Sequence, residues 1–235
     1  MNAVRVLVTR PQPDGERTAA ALRARGHHVL HAPLMRIEPV AADIPAGPFA
    51  AILITSANAA RAVAAHARRS ALNGIPVFAV GRHSAEAARD AGFAEVISAG
   101  GDANDLARLV AARGAAGPLL YLAGEDRAGD LAGDLAAHDF AVRTVALYRA
   151  AAAAFPAALA QALKAGLLDA ALHFSRRSAE LYLAGAGTAG FPGPALALRH
   201  FCLSPQVAEP LKAAGSGKII VAPRPDEAVL IDLLG

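Results

Sequence analysis

ILITSANAARAVAA, Ile52 to Ala65, decides the fold class. Ile52 to Ile54 form a short apolar run of strand character. Thr55, Ser56 and Asn58 then supply the hydroxyl and amide groups that favour a helix start, and the alanine- and arginine-rich stretch beyond has helical spacing. Outward from this segment the same change of period recurs: Val4 to Val8, Val77 to Val80 and Lys218 to Val221 are further short runs set between helical stretches. Candidate strands cover residues 4–9, 28–32, 51–55, 77–80, 94–98, 119–123, 142–147, 170–175, 197–203 and 218–222. These are too many for one small sheet, and intervening helices of about 10 to 15 residues suit crossover connections with helices on both faces. The pattern predicts an α/β protein made of two doubly wound, five-stranded parallel-sheet lobes.

The length of 235 residues suits that division, and 54% hydrophobic, 18% charged and 5% aromatic residues describe a chain able to bury a sizeable core. The longest uncharged run, Leu181 to Leu198, is interrupted by Gly185, Gly187, Gly190, Pro192, Gly193 and Pro194, so it does not read as a membrane helix and no membrane partner is expected. The opening MNAVRVLVTRP lacks the pattern of a signal peptide, which points to the cytoplasm. Cys202 is the single cysteine; it permits no internal disulfide, suits a reducing compartment and reads as a core residue. A net charge of +3, with no lysine-rich run or aromatic stacking motif, excludes nucleic acid as an expected partner. Of the 23 basic residues only Lys164, Lys212 and Lys218 are lysines, and arginine suits bidentate recognition of carboxylate or phosphate.

Two places break the alternation. PLMRIEPVAADIPAGP, Pro33 to Pro48, carries four prolines, and after Tyr148 the chain restarts as the alanine-rich RAAAAAFPAALAQALKAG. If both crossings join the same lobes, the first lobe is discontinuous: residues 1–36 and 150–235 against 37–149.

Ligands of open parallel sheets bind beyond the carboxyl ends of the strands, where helix N-termini present unpaired N–H groups to anions. The turns at those places are Thr9 to Pro11, Thr55 to Asn58, Gly81 to Ser84, Gly124 to Arg127, Ser175 to Ser178, Ser204 to Gln206 and Pro223 to Asp226. Each hydroxyl there has an ordinary explanation as a helix cap; as a set they also offer an anion-accepting edge. GAGTAG, Gly185 to Gly190, has the spacing of a dinucleotide fingerprint, but it follows a helical pattern and runs into Phe191-Pro192-Gly193-Pro194 in place of a helix start, and so reads as a loop. His28 and His31 would face opposite sides of a strand, which argues against metal at the His27, His28, His31 cluster. No P-loop, G-x-S-x-G or H-E-x-x-H is present. Neither a metal nor a cofactor is expected.

VLVTRP, ILITSANA, VFAVG, LYLAGEDR, VALYRA, HFSRRSAE and CLSPQVAEPLKAAG, in this order across nearly the whole chain, resemble the uroporphyrinogen-III synthase family. The resemblance implies two flavodoxin-like α/β lobes joined by a two-stranded connector, here Arg36 to Pro39 and Ala146 to Arg149. It implies a cofactor-free enzyme that closes hydroxymethylbilane, a linear tetrapyrrole rich in carboxylates, into uroporphyrinogen III with inversion of ring D and loss of water. It further implies a monomer that meets the preceding pathway enzyme transiently.

Within that resemblance Tyr148 matches the tyrosine of the family's V-x-x-Y motif and is the candidate proton donor to the departing hydroxyl, an ordinary phenol being protonated at neutral pH. Ser56, Ser84 and Ser175 match hydroxyl positions of the family. With Gly124, Ser204, Arg10 and Arg176 they make up the candidate substrate-binding set. The competing reading is a non-catalytic two-lobed binding protein for an anionic metabolite, which would use the same strand ends.

Overall fold

A computed structural model describes residues 3–101, 103–114, 116–127 and 129–235; Met1 and Asn2, which belong to the leader reading, lie outside it. Along the chain run β1 (Arg5–Val8), α1 (Asp14–Ala24), β2 (His28–His31), β3 (Met35–Pro39), β4 (Ala51–Ile54), α2 (Ala57–Ala64), β5 (Val77–Ala79) and α3 (Arg82–Asp90). Next come β6 (Val96–Ser98), α4 (Ala103–Arg113), β7 (Leu119–Gly124), α5 (Leu131–Ala136), β8 (Val142–Ala152), α6 (Ala157–Lys164) and β9 (Ala170–His173). The chain ends with α7 (Arg176–Thr188), α8 (Pro192–Ala197), β10 (Arg199–Cys202), α9 (Pro205–Ala213), β11 (Ile219–Val221) and α10 (Glu227–Asp232). All ten candidate strands are present. Several helices are shorter than expected, six residues in α5 and eight in α2, whereas α7 with thirteen falls in the expected range.

The chain forms two compact units, Met1–Arg36 with Ala151–Gly235, and Ile37–Ala150. The first is built on a five-stranded sheet of order β11-β10-β9-β1-β2, with every pair parallel. Successive residues of its central strands face opposite cores: Leu7, Ala171 and Cys202 pack with Tyr182 and Leu211 on one side, Val6, Val8, Leu172 and Phe201 with Leu22 and Leu230 on the other. Covering both faces is what makes these strands predominantly apolar, with His173 and His200 as buried polar exceptions on β9 and β10.

The second unit has six strands, not five, in the order β3-β8-β7-β4-β5-β6. Its central strands divide in the same way, Ile52, Ile54, Leu120 and Leu122 facing one core and Leu53, Leu119 and Tyr121 the other. The extra strand is β3, whose bonds to β8 run antiparallel, from Ala153 N–H to the Leu34 carbonyl and from Val40 N–H to the Leu147 carbonyl, each at 2.9 Å. This ribbon extends beyond the expected Arg149, because β8 continues as a strand to Ala152 where a helix was expected to restart.

GAGTAG is a second correction. Gly185 and Gly187 lie inside α7, and Pro192 does open a short helix, α8. Gly185 is tolerated in the helix because the ring of Phe155 fills its side-chain space: a Cβ there would stand 2.1 Å from Phe155 Cδ2. The glycines close a helix and do not lead from a strand into one, so the dinucleotide geometry is absent. Among the described residues no helix is long and apolar enough to cross a membrane.

Candidate active site

In a doubly wound sheet the crevice for ligands opens where the winding reverses. In the second unit that point lies between β4, from which the chain proceeds to β5 and β6, and β7, from which it proceeds to β8. Thr55 and Ser56 follow β4, and Gly124 ends β7. Tyr148 on β8 is paired with Gly124 just past an irregularity at Ala123/Gly124, and the N–H of Glu125 donates to the Tyr148 carbonyl at 2.9 Å. A Cβ on Gly124 would stand 2.8 Å from Tyr148 Cζ and 3.1 Å from its hydroxyl oxygen. Glycine leaves to the tyrosine ring the space that a side chain would take. Ser56, Gly124 and Tyr148 therefore meet at one strand-end crevice.

Burial pushes the Tyr148 phenol above its ordinary value of 10; a hydrogen bond with Ser56 works the other way, and Tyr121 and the Asp126 carboxylate add to the rise. Protonated phenol thus persists across the neutral range and beyond it. Tyr121, whose hydroxyl lies 2.9 Å from Thr55 Oγ1, brings a second of the chain's three tyrosines to this crevice. Ser56 caps α2, its Oγ accepting the Asn58 N–H at 3.2 Å. Asn58 in turn accepts from Arg61 at 2.8 Å, and the Arg61 guanidinium lies 3.5 Å from His83 Nε2.

Arg61 and Tyr121 are site-bordering residues that sequence reading passed over. Their signals were a spacing of three residues between Asn58 and Arg61 on a helix, and a hydroxyl in an otherwise apolar strand, which needs a partner when buried. Ser84 is buried in the first turn of α3, one strand outward from the crevice, and the cap of that helix is Gly81.

In the first unit the winding reverses between β1 and β9. Arg10, just beyond β1, is already engaged: its guanidinium lies 4.3 Å over the Phe174 ring, donates to Thr18 Oγ1 at 3.1 Å, and pairs with Glu227 at 3.0 Å and Asp14 at 3.5 Å. It ties the end of β1 to α1 and α10. Arg176 is exposed and pairs with Glu180 at 2.9 Å and Glu209 at 2.8 Å. Ser175 caps α7, accepting the Ser178 N–H at 3.1 Å, whereas Ser204 holds the equivalent position before α9 without a capping bond from its side chain.

No group of three or more His, Cys, Asp or Glu among the described residues could hold a metal ion. His27 Nδ1 accepts the Val4 N–H at 3.3 Å and His31 Nε2 lies 2.9 Å from the Arg10 carbonyl, so both rings have structural partners.

The family model for Uroporphyrinogen-III synthase HemD matches residues 16–232. The chain belongs to the uroporphyrinogen-III synthase family. It is thereby a hydro-lyase of tetrapyrrole biosynthesis, and hydroxymethylbilane is the substrate that membership in the family implies. Among solved structures, uroporphyrinogen-III synthetase from Helicobacter pylori 26695 is similar in fold, with a TM-score of 0.69 and 16% identity over 99% of this chain and 98% of that one. A mutant uroporphyrinogen III synthase from the extremely thermophilic bacterium Thermus thermophilus is similar with a TM-score of 0.55 and 19% identity, again over 99% and 98% of the two chains. No curated protein sequence matches the chain significantly.

Proposed function

We propose that this uroporphyrinogen-III synthase closes hydroxymethylbilane with Tyr148 as the proton donor. The pyrrole nitrogen of the hydroxymethyl-bearing ring expels the hydroxyl, the Tyr148 phenol supplies the proton that turns it into water, and an electrophilic azafulvenium cation remains beside the phenolate. The already substituted carbon of ring D attacks it to give a spiro pyrrolenine, which fragments and recloses in the inverted sense. The proton released when the rings regain aromaticity restores the phenol. The observation that carries this reading is the phenol at the switch point of the second unit, held over Gly124 and raised in pKa by burial.

The substrate's carboxylates are taken by backbone N–H groups and hydroxyls at the turns that contain Ser56, Ser84, Ser175 and Ser204, at helix starts suited to anions, and by the backbone of the turn that follows Gly124, which ends β7 ahead of α5. Arg10 and Arg176, paired with protein carboxylates, add a favourable field and are individually replaceable. On this reading the enzyme is a cytoplasmic monomer that meets the preceding enzyme of its pathway only transiently, and it needs no metal or cofactor.

The test mixes purified protein with freshly generated hydroxymethylbilane and separates the type I and type III isomers. The wild type yields type III and keeps doing so after exhaustive dialysis against a chelator. Tyr148→Phe folds normally and slows type III formation by roughly 10- to 100-fold, the lower part of the range for general acid catalysis, because the pyrrole nitrogen already drives departure. Full turnover in Tyr148→Phe would remove the proton-donor role.

A further inference from the structure

A surface cavity of about 570 Å³ lies at the amino ends of the strands in the first unit, the edge of that sheet opposite its switch point. Leu163, Leu168, Ala197 and Leu198 give it apolar walls, and Asp169, Arg199 and Lys218 line it as well. These charges are unequally matched. Asp169 is occupied by Arg5, accepting its backbone N–H at 2.9 Å, its Nε at 3.0 Å and its Nη2 at 2.6 Å, and this clasp holds the carboxyl down to about 2, with a lesser through-space contribution from Arg199. Arg199 and Lys218 are neighbours across β10 and β11, since His200 pairs with Ile219 in register. Among the described residues neither forms an ion pair; Arg199 lies 5.7 Å from the ring of Phe201.

We propose that this cavity binds an apolar carboxylate, its hydrocarbon or aromatic body against the leucines and its carboxylate between Arg199 and Lys218. The volume falls within the range of small-molecule sites, roughly 300 to 1,000 Å³. A small polar anion would gain nothing from the leucine wall, and a neutral hydrocarbon nothing from two cations that no carboxylate bonds directly. An amphipathic anion uses both, with the guanidinium offering two parallel donors to the carboxylate. The cavity belongs to the first unit, whereas Tyr148 belongs to the second.

The ¹⁵N-labelled full chain, titrated with 2-naphthoate, 2-naphthol and inorganic phosphate, tests this. Saturable amide shifts at Leu168, Arg199 and Lys218 are expected for 2-naphthoate, weaker ones for 2-naphthol and none for phosphate. The double variant Arg199→Gln, Lys218→Gln weakens 2-naphthoate about tenfold or more, the loss expected when charge-assisted bonds go. Ala197→Phe, at an exposed position, fills the cavity and abolishes the shifts, while both variants still make the type III isomer and so are folded. Absence of saturable shifts at these amides in the wild type, shifts confined to the Ser56 and Gly124 amides, or unchanged affinity in either variant would overturn the proposal.

Discussion

Gly124 shows how much a single missing side chain decides. The ring of Tyr148 fills the space where a Cβ would stand, so Gly124→Ala must push the ring away or shift β7. Overpacking of this kind costs about 1 to 3 kcal/mol, and the expected outcome is a fall in type III synthesis at least as large as that of Tyr148→Phe, read alongside a denaturant unfolding curve that separates the two effects. Normal turnover in a destabilised Gly124→Ala would show that the position of the ring does not matter. The phenol itself makes a pH prediction. Because burial raises its pKa above 10, the acid form is retained as pH rises, and kcat measured from pH 6 to 9 shows no alkaline fall attributable to this group. A falling limb below pH 9 that disappears in Tyr148→Phe would contradict it. Tyr148 became a candidate from its motif, whereas its packing against Gly124 was not legible, since the two residues lie on adjacent strands and no linear spacing records the pairing.

Helix starts give the next level. Ser56 and Ser175 each accept an N–H of their own helix, from Asn58 and Ser178, while Ser204 makes no such bond. Replacing a capping serine by alanine costs about 1 kcal/mol, so Ser56→Ala and Ser175→Ala should lower unfolding free energy by that amount and Ser204→Ala by clearly less. If Ser204 serves the substrate, Ser204→Ala weakens hydroxymethylbilane use without destabilising; equal destabilisation in all three would make Ser204 another cap. At this scale the sequence was readable for the strands, because a strand buried on both faces must be a short apolar run, as in Ile52 to Ile54 and Leu119 to Leu122. It misled at Gly185, where helix continues because Phe155 packs into the glycine's space. It also misled after Tyr148, where pairing with β3 keeps alanines 151 and 152 in a strand despite their helix preference. Both errors come from contacts between segments remote in sequence.

Over the whole chain the two units differ in how they answer to acid. The described groups whose shifts bear on acid stability, Glu16, Asp169, His173, His200 and Glu227, all belong to the first unit. The decisive pair is His173 and His200 on β9 and β10, fully buried, with Nε2 of His173 3.1 Å from Nδ1 of His200 and the rings of Tyr182 and His173 in an edge-on arrangement, their centroids 5.4 Å apart. Burial drives both imidazoles well below 6.5, reinforced for His173 by its neighbour, and the carbonyls of Ala195 and Leu196 offset this only in part for His200, which stays at about 4. Both rings are therefore neutral in the folded unit, while the unfolded chain takes up protons once the pH falls below 6.5. Stability is then lost as pH falls from about 6.5 towards 4, by up to about 1.4 kcal/mol per pH unit for each histidine. Each unit has its own cores, Leu7 and Leu211 or Val6 and Phe201 in the first, Ile54 and Leu122 or Leu53 and Tyr121 in the second. Hydrogen exchange at pH 7 and pH 4.5 should accordingly show the amides of β9 and β10 losing protection while those of β4 and β7 keep theirs. His200→Phe, which removes one titrating ring and retains an aromatic body beside Tyr182, should flatten the dependence. If β4 and β7 lost protection equally, or if His200→Phe left the acid slope unchanged, the origin of acid lability would lie outside the histidine pair.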